Sequence, residues 1–392
     1  MSASGEQTLG LYIHIPFCRS KCDYCDFYSL SGREADMDNY LHALITHIRQ
    51  TAPSASHLHV DTIYFGGGTP SIFGLHRLME VLTELNGQFH VVPDAEITLE
   101  GNPDSVNIPL LTSLRNAGFN RLSLGVQSAC DEHLRTLHRP HTFSQAQQAV
   151  VTARTAGFDN VSLDLIYGLP NQSMTQWQDT VEQVLLLEPK HLSCYGLKVE
   201  ENTPLYARVQ QGEILPDDDA QADMYLWMVS RLEQAGYHQY EISNFARPGM
   251  QSRHNLRYWL TRPYLGFGPG AHSDFDGQRY SFVRDLNKYM GGVLSGQPIV
   301  DQCQPISTSE RASEYLMLRL RTARGIEPEE YSRIYSMNFA PLELRLKQYE
   351  QHGWTQRCGS RWRLTAEGFL LSNQLIGQLL DAQLPTHLEQ NL

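Results

Sequence analysis

The sequence predicts an α/β fold in which six short strands alternate with helices. The strand-like runs are rich in β-branched and aromatic residues, and the segments between them have helical composition. Each strand–helix unit spans roughly 25–50 residues, which is the scale of a βα repeat in a parallel sheet. Six units are fewer than the eight of a closed TIM barrel. We therefore expect a partial (β/α)6 TIM-like barrel, with a doubly wound open sheet as the second choice.

The predicted elements follow one another from the N-terminus. The strands are expected at residues 11–17, 62–68, 96–102, 121–127, 161–168 and 191–197, with a seventh near 238–244. The helices between them are expected at residues 36–50, 75–86, 107–117, 144–156 and 174–188. In either fold, functional side chains should lie where strands end.

Composition divides the chain into three parts. Residues 1–245 are expected to form the barrel, and residues 246–300, which are rich in aromatics and glycine, to cover its mouth. Residues 301–392 contain helices and the segment "TQRCGSRWRLT", which predicts a hairpin that turns at Gly359. Helices with a small hairpin indicate a winged-helix-like α+β domain. Its charge is too weak for a nucleic-acid surface, so a scaffold or lid is expected.

Length and composition exclude several classes of protein. The chain has 392 residues, of which 41% are hydrophobic and 19% charged, an ordinary globular balance. A net charge of −12 argues against a nucleic-acid partner. No apolar run approaches the ~18 residues that cross a bilayer, and the start "MSASGEQTLG" lacks the pattern of a secretory signal. We therefore expect a cytoplasmic protein whose cysteines form no disulfide framework.

Three cysteines stand in one short loop after the first strand. Cys18, Cys22 and Cys25 are spaced C-x3-C-x2-C, and they could hold an iron–sulfur cluster, zinc or no metal. A structural zinc site needs four ligands, and the nearest candidate for the fourth, His14, lies on the strand. A [4Fe–4S] cluster with three thiolates keeps one iron open for chemistry. The pattern favours the cluster over zinc, and zinc over no metal.

Other reactive side chains lie near the ends of the predicted strands. The glycine-rich turn at 66–70, "GGGTP", lacks the Lys-Ser/Thr of a phosphate loop, but its glycines let backbone approach a ligand. Glu100 lies near the end of the third strand, Gln127 ends the fourth, and Asp164 lies within the fifth. Each of these side chains by itself could equally form an ion pair or cap a strand end. It is their joint occurrence in neighbouring strands that indicates a ligand-binding site. The remaining cysteines are expected to be small hydrophobes: Cys130, Cys194, Cys303 and Cys358.

With Tyr24 before its last cysteine, the loop resembles that of the radical S-adenosylmethionine (SAM) proteins. The resemblance implies a radical SAM barrel whose three thiolates bind a [4Fe–4S] cluster, with SAM on the open iron. It implies that an electron from the cluster, supplied by an external donor, splits SAM into methionine and a 5′-deoxyadenosyl radical.

One branch of that family is matched along nearly the whole chain. The segments "YIHIPFC", "GGGTP", "ITLEGNP", "RLSLGVQS", "LHRPH" and "LDLIYGLP" resemble the coproporphyrinogen oxidase-like group in order and spacing. The resemblance implies that eight residues contact SAM: Tyr12, Gly67, Gly68, Thr69, Glu100, Gln127, Arg139 and Asp164. An acidic side chain there suits ribose hydroxyls, and a guanidinium suits the methionine carboxylate.

Two departures separate the chain from the oxidases of that group. The oxidases carry a further cysteine where this chain has Phe27, and a substantial segment where only 17 residues precede Cys18. Both departures resemble the HemW-type haem chaperones, which bind haem as cargo and pass it to acceptor proteins.

The stretch 254–259, "HNLRYW", is similar to the H-N-x-x-Y-W motif of that type and implies that His254 binds haem. An imidazole suits haem iron, and we expect this ligand to be exposed so that haem can leave. Tyr258 and Trp259 would lie along the porphyrin face, and Arg253 and Arg257 would pair with its propionates.

Three functions remain open. The first is a haem chaperone that keeps a radical SAM site, the second is an oxygen-independent coproporphyrinogen III oxidase, and the third is another radical SAM enzyme. The sequence leaves open which haemoprotein, respiratory ones included, accepts haem, and whether SAM cleavage is needed. It also leaves open peripheral membrane association and a homodimer.

Overall fold

The computed structural model describes residues 8–383 and is built on one large sheet. Its first six strands are β1 (Thr8–Ile15), β2 (His59–Gly67), β3 (His90–Gly101), β4 (Arg121–Gln127), β5 (Asn160–Tyr167) and β6 (His191–Gly196). Each of the first five pairs in parallel with the strand that follows it. The strand order never reverses, as it would in a doubly wound sheet. The predicted α/β fold with barrel-type winding is therefore confirmed.

Helices connect these strands at the predicted places. They are α1 (Met37–Thr51), α2 (Leu75–Gln88), α3 (Ile108–Ala117), α4 (Asp131–Thr136), α5 (Phe143–Thr155) and α6 (Met174–Leu185). Only the short helix α4 was not expected. The capping boxes at Thr142 and Ser173 begin α5 and α6, because each hydroxyl accepts a backbone N–H of the first turn.

The two faces of the barrel sheet differ in polarity. The side chains of Leu9, Leu11, Ile13 and Ile15 on β1 are fully buried in the apolar core. The alternate residues face the barrel interior, which is polar: Tyr12, Thr62, Tyr64, Glu96, Thr98, Glu100, Arg121, Ser123, Ser162, Asp164, His191 and Ser193. Burying polar groups costs free energy unless they are paired, so this interior signals function more than stability.

After β6 the chain adds strands to both sides of the sheet. The elements are α7 (Pro204–Gln210), α8 (Asp218–Gln234), β7 (His238–Glu241), β8 (Asn244–Ala246), α9 (Arg253–Trp259), β9 (Tyr264–Phe267), β10 (His272–Phe275), β11 (Gln278–Phe282), α10 (Leu286–Ser295) and β12 (Val300–Pro305). The strand order is β12-β11-β10-β9-β1-β2-β3-β4-β5-β6-β8-β7. The predicted seventh strand is therefore two short antiparallel strands, β7 and β8.

The helix α9 is not at the barrel mouth, where the segment 246–300 was expected. The backbone N–H groups of Arg253 and His254 donate to the Glu96 carboxylate at 3.0 and 2.9 Å. Glu96 lies on β3 four residues before Glu100, and it is opposite Thr62, which is near the start of β2. The helix α9 therefore closes the floor of the barrel, at the end away from the strand C-termini.

The C-terminal region packs its helices around a hairpin. The elements are α11 (Thr308–Arg319), α12 (Pro328–Tyr335), α13 (Ala340–Gln351), β13 (Thr355–Cys358), β14 (Arg361–Leu364), α14 (Ala366–Leu370) and α15 (Ser372–Gln383). The predicted hairpin is present, with Gly359 at φ 61° in its turn. The last two helices, α14 and α15, are separated by Leu371. Two backbone bonds join this region to the barrel, Ile242 N–H to Arg321 O and Ala323 N–H to Tyr240 O.

The predicted domain boundaries fall inside this connected sheet. The boundary at 245 lies within β8, and the boundary at 300 coincides with the start of β12. The ends of the predicted ranges, residues 1–7 and 384–392, lie outside the described residues. The three-part division therefore stays a prediction. No helix within residues 8–383 is long and apolar enough to cross a membrane.

Candidate cofactor-binding site at the barrel mouth

The cysteine loop leaves β1 and is fixed across the mouth of the barrel. The Cys18 N–H donates to Leu30 O at 2.9 Å. Asp23, which is buried, accepts a bond from Arg208 at 2.5 Å. Tyr24 packs on a small apolar cluster that contains Leu137. These anchors hold the three cysteines on one side of the mouth.

The remaining cysteines differ in burial. Cys194 is buried, Cys130 is half-buried, and Cys303 and Cys358 are exposed. All four were expected to be small hydrophobes, and the exposure of Cys303 and Cys358, on strands at the edges of the two sheets, does not favour that role for these two.

His14 is fully engaged in other bonds. Its Nε2 lies 2.8 Å from Tyr28 O, and its Nδ1 lies 3.1 Å from the Tyr12 hydroxyl. Burial lowers the pKa of His14 to about 4. Within residues 8–383, no three His, Cys, Asp or Glu side chains are grouped to hold a single metal ion. This arrangement does not favour a zinc site formed by His14 and the three cysteines.

The glycine-rich turn lies directly against the cysteine loop. A Cβ atom on Gly68 would lie 2.5 Å from Phe17 O and 3.0 Å from Cys18 Sγ. A Cβ atom on Gly67, whose φ is 112°, would lie 2.6 Å from the His14 ring. Only glycine permits this approach, because real Cβ contacts are longer. The Thr69 hydroxyl then reaches Cys18 Sγ at 3.5 Å.

A chain of hydrogen bonds joins the glycine-rich turn to the second cysteine. Asn102 Nδ2 donates to Thr69 Oγ1 at 3.3 Å, and Asn102 Oδ1 accepts from Arg139 Nη2 at 2.7 Å. Arg139 also donates to Cys22 Sγ at 3.2 Å and to Gly125 O at 2.8 Å. The sequence reasoning missed Asn102, although it stands in the "ITLEGNP" segment directly after β3.

Two carboxylates line the interior just below the mouth. Glu100 accepts a bond from the Tyr64 hydroxyl at 2.6 Å and from the Gly67 N–H at 3.2 Å. Burial raises the pKa of Glu100 to about 7. Asp164 accepts bonds from Ser123, and burial raises its pKa too. Perturbed carboxyl groups in a cleft are typical of functional sites.

Gln127 ends β4 in a backbone conformation that non-glycine residues rarely adopt. Its φ is 67°, and the register of β4 against β5 shifts between Gly125 and Gln127. A Cβ atom on Gly125 would lie 2.8 Å from the Gln127 amide and 3.1 Å from Arg139. Backbone strain of this kind is found preferentially at functional sites.

The contacts thus bring most of the sequence-predicted residues to one end of the barrel. Tyr12 joins the group because its ring stacks on Tyr64 at 6.2 Å between centroids. Tyr64 was not singled out from the sequence, because an aromatic residue inside a strand normally indicates core packing. His254 does not belong to this group, since it lies on α9 at the floor.

His254 is fully buried, which makes the expectation of an exposed histidine wrong. Its Nδ1 lies 2.9 Å from Thr62 Oγ1, and its Nε2 lies 2.8 Å from the Tyr258 hydroxyl. Burial keeps the pKa of His254 well below its usual value, so the ring is neutral. The histidine lies inside the barrel because the N-terminus of α9 is bonded to Glu96, which brings the His254 ring against Thr62 on β2.

The two arginines of the motif also differ from expectation. Arg257 is buried, forms an ion pair with Asp61, and donates to Thr8 O and Pro263 O at 3.1 and 3.0 Å. It is therefore not available for a propionate. The Arg253 side chain is 43% exposed and lies at the surface.

Comparison with known proteins places the whole chain among related sequences. Residues 12–184 match the radical SAM superfamily, and residues 306–371 match the HemN C-terminal domain. The heme chaperone HemW of Bacillus subtilis is 36% identical over 94% of this chain and 98% of its own. The heme chaperone HemW of Escherichia coli is 34% identical over 94% and 97%. The structure of coproporphyrinogen III oxidase from Escherichia coli superposes with a TM-score of 0.83 at 25% identity, covering 98% of this chain and 92% of that one.

Replacing Gly68 by alanine should destabilise the protein. The added methyl group meets Phe17 O and Cys18 Sγ, so the turn or the cysteine loop must move, at a cost of about 1–3 kcal/mol. Gly87→Ala is the matched control, because a Cβ atom there meets nothing within 4 Å and alanine favours the helix. Urea unfolding followed by circular dichroism measures both. Equal stability of the two variants would contradict the close contact.

Glu100 should make the stability of the ligand-free protein fall as the pH rises. Its folded pKa, about 7, lies above the usual 4.5, so the native state binds the extra proton between these values. The corresponding loss of stability from about pH 4.5 to pH 7 is up to about 3 kcal/mol. Glu100→Gln should remove that part of the pH dependence, and Glu350→Gln, on an exposed helix face, should not. The test measures the free energy of unfolding at pH 5 and at pH 8. If the change between the two pH values is the same in wild type and in Glu100→Gln, the prediction is refuted.

Proposed function

Because this chain belongs to the HemW family of radical SAM proteins, we propose that it is a cytoplasmic haem chaperone. In this proposal it carries a [4Fe–4S] cluster and SAM, binds haem as cargo and delivers it to acceptor haemoproteins, respiratory ones included. The observation that carries the proposal is the similarity to the Bacillus subtilis heme chaperone HemW over 94% of this chain and 98% of that protein. The proposal also requires an external electron donor.

The residues at the barrel mouth suit the cluster and SAM. Cys18, Cys22 and Cys25 supply three thiolates from one fixed loop, which leaves one iron for SAM. When bound, the cluster would supply the electron for reductive cleavage of SAM. Arg139 Nε is buried without a hydrogen-bond partner among the described residues, as a donor awaiting an anionic group would be. Arg139 would hold the SAM carboxylate.

The other residues would hold the remaining parts of SAM. The turn formed by Gly67, Gly68 and Thr69 would take the amino group, because it exposes backbone beside Cys18. Glu100 and Asp164 would accept hydrogen bonds from polar groups of SAM. Tyr12 and Gln127 complete the proposed binding site.

An oxidase is the second candidate, favoured by the superposition on coproporphyrinogen III oxidase with a TM-score of 0.83. Against it stands Phe27, where the oxidases have a further cysteine. The Phe27 side chain is 72% exposed and offers no ligand to the cluster loop. A fold shared by two activities does not choose between them, so the turnover assay must.

His254 remains the proposed haem ligand, but its burial changes how it would act. Its Nε2 can bind iron only after the bond to the Tyr258 hydroxyl breaks and α9 moves away from the floor. The helix is held there by two backbone bonds to Glu96 and by the ion pair between Arg257 and Asp61, so this opening must break both. We propose that this opening exposes His254 to haem beside Arg253, which already lies at the surface, and that closing releases haem. Reversible exposure suits a protein that must bind its cargo and give it up.

Serine at Cys18, Cys22 or Cys25 should abolish the cluster, because each of the three thiolates would supply one of its protein ligands. The anaerobically reconstituted wild type should contain about one [4Fe–4S] cluster per chain, since one loop supplies the ligands. Iron and sulfide analysis with the absorbance near 400 nm measures this. Cys130→Ser, at a half-buried cysteine that precedes α4 and lies outside the cysteine loop, is the control. Loss of the cluster in the control would disprove the assignment.

His254→Ala should lower haem occupancy while the cluster stays intact. His191→Ala is the matched control, because His191 is also fully buried and hydrogen-bonded to hydroxyls through both ring nitrogens. Titration of haem, followed by the Soret band, should show weakened binding only for His254→Ala. Wild-type occupancy in that variant would remove His254 from the proposal.

The same reconstituted protein should not decarboxylate coproporphyrinogen III. The assay is run anaerobically with SAM and a reductant, and a cluster-free sample is the control. Protoporphyrinogen above that control would establish the oxidase instead.

A further inference from the structure

A stack of aromatic rings connects the floor of the barrel to the proposed SAM site. The His254 ring stacks on Tyr64 with centroids 5.1 Å apart and planes 24° apart, and Tyr64 stacks on Tyr12 at 6.2 Å and 25°. His254 belongs to the "HNLRYW" motif on α9, and Tyr64 belongs to β2. The Tyr12 ring also stacks on His254, with centroids 6.5 Å apart and planes 27° apart, so the three rings form one cluster between the floor and the mouth of the barrel.

Tyr64 acts directly on Glu100. Its hydroxyl donates to Glu100 Oε1 at 2.6 Å, while Glu100 Oε2 accepts the Gly67 N–H at 3.2 Å. A hydrogen bond to a charged acceptor is stronger than one between neutral groups. Tyr64 thus fixes the rotamer of Glu100 and favours its ionised form, which accepts hydrogen bonds from a ligand.

Little room exists for Tyr64 to move while the stack is intact. A Cβ atom on Gly66 would lie 2.9 Å from the Tyr64 ring, 3.1 Å from Tyr12 and 3.1 Å from Glu100 Oε2. Tyr64 itself is buried. The glycine backbone covers it on one side and the His254 ring supports it on the other.

We infer that Tyr64 is a positioning residue for SAM, and that His254 sets the affinity for SAM by supporting Tyr64 from below. This inference rests on the proposed function, because SAM and haem are taken from it. If haem draws His254 out of the barrel, Tyr64 loses its support and Glu100 its fixed hydrogen bond. Haem and SAM then weaken each other's binding, since coupling between two ligands is reciprocal.

The ionisation of Glu100 depends on groups from several elements. Tyr64 on β2 donates to it, Asp164 on β5 and Arg121 on β4 act on it through charge, and Tyr12 on β1 and Tyr258 on α9 face the same interior. Among these, only Tyr64 both stacks on His254 and bonds to Glu100. Removing the Tyr64 hydroxyl therefore breaks the connection between His254 and Glu100 and leaves the other groups around Glu100 in place.

The first test measures SAM binding to haem-free, cluster-loaded protein by isothermal titration. Tyr64→Phe keeps the stack but loses the bond to Glu100, so the SAM Kd should rise about tenfold or more. The pH midpoint of SAM affinity should also rise, because Glu100 loses a bond that favours its ionised form. Tyr237→Phe is the matched control, since its buried hydroxyl donates to Pro189 O at 2.6 Å outside the site. Iron content should equal that of wild type in both variants.

The second test separates stacking from iron ligation at position 254. His254→Ala removes the ring and should weaken SAM binding about tenfold, whereas His254→Phe restores a stacking ring and should recover most of that loss. Neither variant can ligate haem iron through this position. If SAM affinity falls in His254→Ala and recovers in His254→Phe, the inferred support of Tyr64 by the ring at position 254 is confirmed. If haem binding is lost in both variants, the proposed haem ligand is supported as well.

The outcomes of the two tests are distinguishable. An unchanged SAM Kd and pH midpoint in Tyr64→Phe would overturn the inference, whatever happens to haem. Loss of iron in Tyr64→Phe would also overturn it, because Tyr64 would then be a general structural residue. Normal haem binding in both His254 variants, with the predicted SAM effects, would refute the proposed haem ligand but leave the positioning role of Tyr64 intact.

Discussion

The close contact between the glycine-rich turn and the cysteine loop is the constraint on which the rest of the mouth depends. Gly68 has no room for a side chain beside Phe17 O and Cys18 Sγ. The ends of β1 and β2 must therefore keep their register, in which Ile15 pairs with Gly67. That alignment lets Thr69 reach Cys18 and lets Asn102 continue the chain of bonds to Arg139. The site is therefore preorganised by backbone contact, and side chains complete it.

The polar interior shows the opposition between stability and ligand binding. Glu100 and Asp164 are held where burial raises their pKa, which weakens the ligand-free fold near neutral pH. The apolar stabilisation comes from the other face of the sheet, where alternate residues of β1 are fully buried under helices. Two-fold alternation along the strands lets one sheet serve both purposes. A ligand that pairs the buried groups would recover part of the lost stability.

His254 shows that the surroundings of a motif can be misjudged from the sequence. The residues "HNLRYW" have a mixed composition that suits an exposed loop as well as a helix. In the structure they form α9, capped by Ser252 and held by Glu96, and the histidine points into the barrel. Its two hydroxyl partners come from β2 and from its own helix, four residues on. Haem ligation by a histidine buried in this way, as proposed above, needs a conformational step that a surface ligand would not need.

The sequence by itself determined the α/β fold, the parallel order of six strands and the spacing of the three cysteines, because periodicity and local motifs are properties of short segments. Only the tertiary structure decided which segments meet: that α9 closes the floor, that Arg257 is committed to Asp61, and that Tyr64 and Asn102 belong with the site. Those contacts join residues that lie far apart in the chain. They depend on how strands and loops pack in three dimensions, and local sequence patterns do not predict such long-range contacts.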